Sequence, residues 1–196
     1  CVYSYFALTN EFFATHRTGY AIMERFAVLG LVGLALTLCI IAGEIDLSIG
    51  SNAALAAVIV VRFTDSLGAV TALLIAILIS TLVGAIQGYF IAYLRVRAIV
   101  LTVGTLMLLR GVALFAAQEK TVMLTDFRVP DFISTKMFLY FSPASLLVIA
   151  MFIVVGLFMT FTRYGREIYA IGGARKEAIA AGIDLKRPMI IVFAIS

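Results

Sequence analysis

The chain has 196 residues, 63% of them hydrophobic and 13% charged, with a net charge of +4. Soluble domains carry about 25% charged residues, so this balance excludes an ordinary soluble domain and fits a membrane protein. Cys1 and Cys39 are too few for a disulfide framework, and Cys39 lies in an apolar run, where a small buried side chain is its ordinary role.

A helix needs about 20 residues to cross a ~30 Å hydrocarbon core. Four stretches qualify: Phe26–Ala42, Ala69–Leu94, Ala98–Gln118 and Pro143–Phe161. Asn52–Val61 is too short to span alone, and Val2–Leu8 and Met189–Ser196 read as pieces of further helices. The expected fold is all-α, a polytopic transmembrane helical bundle with a broken helix and half-helix hairpin. The chain starts without an initiator Met and stops inside an apolar run. The expectation is therefore a single transmembrane domain over 1–196, truncated at both ends.

The apolar run from Phe26 to Val61 is broken once, at Gly43-Glu44-Ile45-Asp46-Leu47-Ser48-Ile49-Gly50-Ser51. An acidic side chain in a bilayer costs roughly 2.5–3.5 kcal/mol on insertion scales, so it normally faces a polar path or a partner. Backbone that leaves the helix at membrane depth must line a cavity or be buried in protein. Glu44, Asp46 and Ser48 are accordingly candidates for a translocation path. Asp46 and Ser48 also suit plain helix capping. The break is expected to form a hairpin toward the cytoplasmic half, with Asn52–Val61 as the half-helix and 62–68 as an outer loop.

Gly84 and Gly88 form a G-x-x-x-G pair around Gln87, a pattern that lets helix backbones approach closely and signals packing. Arg110 lies about 12 Å from the outer end of its span at 1.5 Å per residue; it either snorkels outward or pairs with an internal carboxylate, and is a further translocation-path candidate. His16 has no Cys or acidic cluster at ligand spacing and reads as a loop residue. No phosphate-cradling loop, nucleophile with its base, or metal motif is present, so no catalytic residue, metal or cofactor is expected, and nothing calls for nucleic acid.

Charges set the orientation. Residues 1–25 sum to zero, as do 119–136, whereas Arg95 and Arg97 stand unopposed. The segment 163–187 holds six basic residues against Glu167, Glu177 and Asp184. Basic residues gather in cytoplasmic loops, so 95–97 and 163–187 are placed inside, and 62–68 and 119–142 outside. Tyr89, Tyr93, Tyr140 and Tyr164 fall near the expected interfaces. Within the inward segment, Ala174–Ala181 has strong helix propensity, Gly182 is placed to end it, and Pro188 to open the next span. A short helix flanked by Gly172, Gly173 and Gly182 suits docking on a soluble partner, with the glycines letting it pivot. From these residues alone three readings stay open: an ATP-driven importer subunit, an ion-coupled transporter or channel using Glu44 and Asp46, and a structural membrane subunit.

The segment 43–51 resembles the G-x-I-D-L-S-V-G-S segment of ribose-type ABC sugar permeases, with Glu44 where a small residue is expected and Ile49 in place of Val. Val100-Leu101-Thr102-Val103-Gly104-Thr105 and Leu109-Arg110-Gly111 look like that family's next span. Thr162–Ser196 is similar to its R-x-G-R-x-x-Y-A-I-G-G-N-x-x-A-A-x-x-x-G-I segment, with Ala174 where Asn is common. The resemblance implies a multi-pass permease subunit of a binding-protein-dependent bacterial importer in the inner membrane, for a ribose- or xylose-type monosaccharide. It implies a second permease subunit, a cytoplasmic ATPase subunit that performs hydrolysis, and a periplasmic sugar-binding protein. Gly165, Arg166, Gly172, Gly173, Glu177, Ala178 and Gly182 then become the ATPase-coupling segment.

Overall fold

A computed structural model describes residues 2–9, 13, 15–117 and 141–196. Of the expected outer loop 119–142, residues 119–140, with all of its charges and Tyr140, lie outside the described residues. The helices in chain order are α1 (Val2–Thr9), α2 (His16–Ile41), α3 (Ile49–Leu67), α4 (Ala69–Tyr93), α5 (Ala98–Ala116), α6 (Pro143–Phe161), α7 (Arg163–Gly173), α8 (Arg175–Ala180) and α9 (Lys186–Ile195). The fold is all-α. Among the described residues, α2, α4, α5 and α6 are long and apolar enough to cross a membrane.

Two boundaries differ from expectation. Helix α2 starts at His16 rather than Phe26, so the polar stretch Arg17–Arg25 is helical and His16 opens a helix instead of sitting in a loop. Helix α3 has 19 residues rather than the ten-residue half-helix Asn52–Val61. It runs through Arg62 and Asp65 and ends at Gly68, whose φ of 83° closes the turn into α4. Polarity misled here because a helix satisfies its own backbone whether or not its side chains are charged. The broken helix stands, and 62–67 is the last part of a helix, not a loop.

The chain forms two compact units. The first contains α1, α2 as far as Leu31, and α6 as far as Val154. In it Phe26 and Phe152 stack with ring centroids 6.0 Å apart, and Gly30 brings α2 to within van der Waals contact of Val148.

The second unit contains the rest and holds the break. One core gathers Leu38, Cys39 and Ala42 of α2 with Ile91, Met159, Ile168, Ile171, Ala178, Met189, Val192 and Phe193. A second joins Leu55 and Ile59 of α3 to Ala76 of α4 and to Leu109 and Ala113 of α5. Helix α9 packs along α4, and the G-x-x-x-G pair makes this possible. A Cβ on Gly84 would strike the Phe193 carbonyl oxygen, and one on Gly88 would stand 2.7 Å from Ile190 Cα. The spacing signalled close packing, and the structure supplies the partner helix.

Candidate functional site

The break opens with a Schellman motif. Ile41 is the last residue of α2, and Gly43 takes φ 79° beyond it. The Gly43 N–H donates to the Ile40 carbonyl at 3.0 Å, and the Glu44 N–H to the Cys39 carbonyl at 2.9 Å. These bonds satisfy carbonyls that a helix end leaves orphaned, and glycine supplies the left-handed turn without steric cost. The chain then runs without helix to Ser48, whose carbonyl accepts the first α3 bond from Asn52 N–H at 2.9 Å.

Asp46 is buried, with 4% of its surface exposed. Its Oδ1 accepts from the Ser48 N–H at 2.8 Å and from the Ser48 hydroxyl at 2.7 Å. The Ser48 Oγ in turn accepts from Gln87 Nε2 at 2.9 Å, and Ser196 Oγ lies 3.5 Å from Asp46 Oδ2. The result is a buried polar relay, Asp46–Ser48–Gln87, at the junction of the break, α3 and α4. Burial at low dielectric makes each of these bonds stronger and its loss more costly. Ser48 is not a side-chain cap of α3, contrary to the capping expectation; its hydroxyl is committed to the relay. Asp46 orders the turn just before the helix. Thr102, fully buried in α5, closes the far side with its Oγ1 3.5 Å from the Ile45 carbonyl.

Glu44 does not join this relay. Its Oε1 pairs with Arg175 Nη1 of α8 at 2.6 Å, with the Glu44 side chain only 14% exposed. The side chain expected in a path therefore reaches into the 163–187 segment instead. A second contact lies beside it. A Cβ on Gly172 would strike the Ile41 carbonyl oxygen, and one on Gly43 would stand 3.4 Å from Gly172 Cα, so the backbones of α7 and the α2 end touch. Gly172 is thus a close-approach glycine and not a pivot, whereas Gly173 meets open space.

The rest of segment 163–187 is held by caps, an ion pair and a helix-ending turn. Thr162 caps α7 by accepting the Gly165 N–H at 3.0 Å. Gly165 itself sits where a Cβ would strike the Met159 backbone, which lets α7 fold back against the end of α6. Arg166 donates to the Phe161 carbonyl at 3.3 Å. Arg163 pairs with Glu167 at 2.7 Å, and that carboxylate holds the guanidinium more firmly protonated. Helix α8 ends in a second Schellman motif: Gly182, with φ 83°, donates to the Ile179 carbonyl at 2.9 Å and Ile183 to the Ala178 carbonyl at 3.0 Å. The position of Gly182 was legible from sequence. Ala178 is 5% exposed and belongs to the core, whereas Lys176 and Glu177 are exposed.

Arg110 is exposed on α5 and makes no ion pair with a described residue, so it is not brought to the relay. Gln87 was undervalued by sequence reading. Its signal was present: it is the one carboxamide in α4, and an amide inside a span is there to bond something. Arg175 carried no such signal, because its partner is 131 residues away in sequence.

Spans of this length, interrupted by a buried polar turn that an amphipathic segment touches, define a polytopic membrane domain. Residues 20–196 match the family described as branched-chain amino acid transport system / permease component, and the chain belongs to that family. It is 31% identical over 172 residues to the L-arabinose transport system permease protein AraH of Escherichia coli (strain K12), covering 85% of this chain and 51% of that protein. It is 28% identical over 195 residues to the D-allose transport system permease protein AlsC of the same organism, covering 97% and 59%. It is also 28% identical over 203 residues to the autoinducer 2 import system permease protein LsrC of Photorhabdus laumondii, covering 100% and 59%. The chain thus spans about half the length of the curated relatives it matches. No solved structure matches it significantly.

Proposed function

We propose that the chain is part of the membrane-spanning permease of an ABC importer for a monosaccharide in the bacterial inner membrane. It would work with a second permease subunit, a periplasmic sugar-binding protein and a cytoplasmic ATPase that carries out hydrolysis. The observation that carries this reading is the double contact between the inward segment and the helix break. Gly172 touches the end of α2, and Arg175 grips Glu44 two residues before Asp46. A push on α7 and α8 from a docked soluble subunit has a direct route to the turn that holds the Asp46–Ser48–Gln87 relay. The substrate class is supported by relatives named for arabinose, allose and fructose. The ion-coupled alternative loses one of its two carboxylates, since Glu44 is occupied by Arg175.

The test is a crosslink from the full-length permease to its ATPase subunit. Ala178 is buried, so the cysteine belongs at Glu177, which is exposed on the same helix. Capture of the ATPase from Glu177→Cys, with uptake abolished in ATP-depleted vesicles, is the expected result. No capture, together with uptake driven by an ion gradient without ATP, would transfer the reading to a secondary transporter.

A further inference from the structure

We propose that the basin lined by Arg95, Arg97 and Lys186 is a binding site for the phosphate headgroup of an anionic phospholipid. The basin is a cavity of about 830 Å³ between the α4–α5 turn, the break and the α8–α9 turn. Its charges are unevenly satisfied. Arg175, on one wall, is paired with Glu44, and Asp184 accepts the Lys186 backbone N–H at 3.1 Å. Neither Arg95 nor Arg97 forms an ion pair with a described residue. The Lys186 ammonium stands 4.7 Å from the Tyr93 ring centroid, which fixes it by a cation–π contact rather than by an acid. A phosphate is an anion that two guanidinium groups and an ammonium can share.

Arg95 supplies the second observation. It follows the α4 C-cap with φ 54°, a left-handed conformation that disfavours residues with a Cβ. At the ends of α2 and α8 the chain uses glycine for this task, at Gly43 and Gly182. At the end of α4 it uses arginine, which keeps a guanidinium at the mouth of the basin against backbone preference. Strain of this kind is found where a side chain has a task to perform.

The walls point to a lipid rather than a free anion. Ile99 and Val100 line the same cavity and are 51% and 66% exposed, so an apolar surface runs from the charges onto α5. Tyr89 and Tyr93 stack at 4.7 Å beside it, at the end of a span where tyrosines mark headgroup depth. Basic pockets between spans at the cytoplasmic face are suited to anionic headgroups. The basin shares Arg175 and Ile179 with the segment proposed to meet the ATPase, so lipid retention and ATPase association have to be read separately.

The experiment compares full-length permease and its Arg95→Gly/Arg97→Gln variant, purified and transferred to phosphatidylcholine vesicles with or without phosphatidylglycerol. Glycine at position 95 relieves the strain, so the variant is expected to be at least as stable as the wild type in pure phosphatidylcholine. The wild type is expected to retain phosphatidylglycerol through delipidation several-fold better than the variant, and to gain thermal stability from it that the variant does not. Equal retention by both proteins overturns the proposal. Displacement of the lipid by inorganic phosphate at comparable concentration shows a small-anion site instead and also overturns it. So does loss of ATPase association in the variant with lipid retention intact, which assigns the basin to a protein partner.

Discussion

Asp46 is the residue whose surroundings define its chemistry most sharply. One oxygen accepts two bonds from Ser48, and the Ser48 hydroxyl hands the chain of bonds on to Gln87. An asparagine side chain retains one acceptor oxygen in the same place, so Asp46→Asn should fold and insert nearly as the wild type does. Asp46→Leu removes the acceptor and leaves a buried N–H and hydroxyl unpaired, at about 1–3 kcal/mol each. Membrane yield and thermal unfolding of the two variants measure the difference. A leucine variant as stable as the asparagine one would show that the relay contributes nothing to folding. Transport is the second readout: if asparagine folds normally and transport is lost, the carboxylate charge itself acts on the path. That an acid in the break would have a partner was legible, because an acid amid hydrocarbon demands one. Which acid stays at the break was not, since Glu44 and Asp46 are two residues apart and only the fold turns one of them toward Arg175.

At the scale of elements, what sequence reveals depends on whether the signal is local. Helix ends marked by glycine were legible at Gly182 because a C-terminal turn needs a left-handed residue there. The G-x-x-x-G pair announced close packing, yet α9 as its partner depends on contacts more than ninety residues away and could not be read. Glycine also misled. Gly172 and Gly173 look identical in sequence, and only the structure shows one pressed against the Ile41 carbonyl and the other facing open space. Gly172→Ala must push α7 away from the end of α2, an overpacking cost of about 1–3 kcal/mol. Gly173→Ala should be neutral or slightly stabilising, since it reduces unfolded-state freedom without a clash. Thermal unfolding of the pair checks this, with comparable effects at both positions counting against the close contact. On the proposed coupling route, the Gly172 variant should also reduce the substrate transported per ATP hydrolysed, because it loosens the segment at its joint with the break. The Glu44–Arg175 pair beside it is partly exposed at Arg175 and is worth at most about 1 kcal/mol, so its value lies in placing α8 rather than in stability.

At the scale of the whole molecule, the basin unites the two basic segments that charge counting placed inside. Arg97 and Arg175 line the same cavity, so whichever side of the membrane holds one holds the other. Helix α4 separates them from the opposite face. Its 25 residues rise about 37 Å at 1.5 Å each, more than the ~30 Å hydrocarbon core. Asp65, near the end of α3 and just before Gly68, therefore belongs on the far side from Arg97. In the full-length permease, with Cys39 fully buried and silent and other accessible cysteines replaced, single cysteines at Arg97, Arg175 and Asp65 report the arrangement directly. A membrane-impermeant thiol reagent should label the positions of Arg97 and Arg175 only from the cytoplasm and that of Asp65 only from outside. Labelling of Arg97 and Arg175 from opposite sides would break the shared basin. Labelling of Arg97 and Asp65 from the same side would mean that α4 does not cross the membrane, and the inward placement of α7 and α8, on which energy coupling rests, would fall with it.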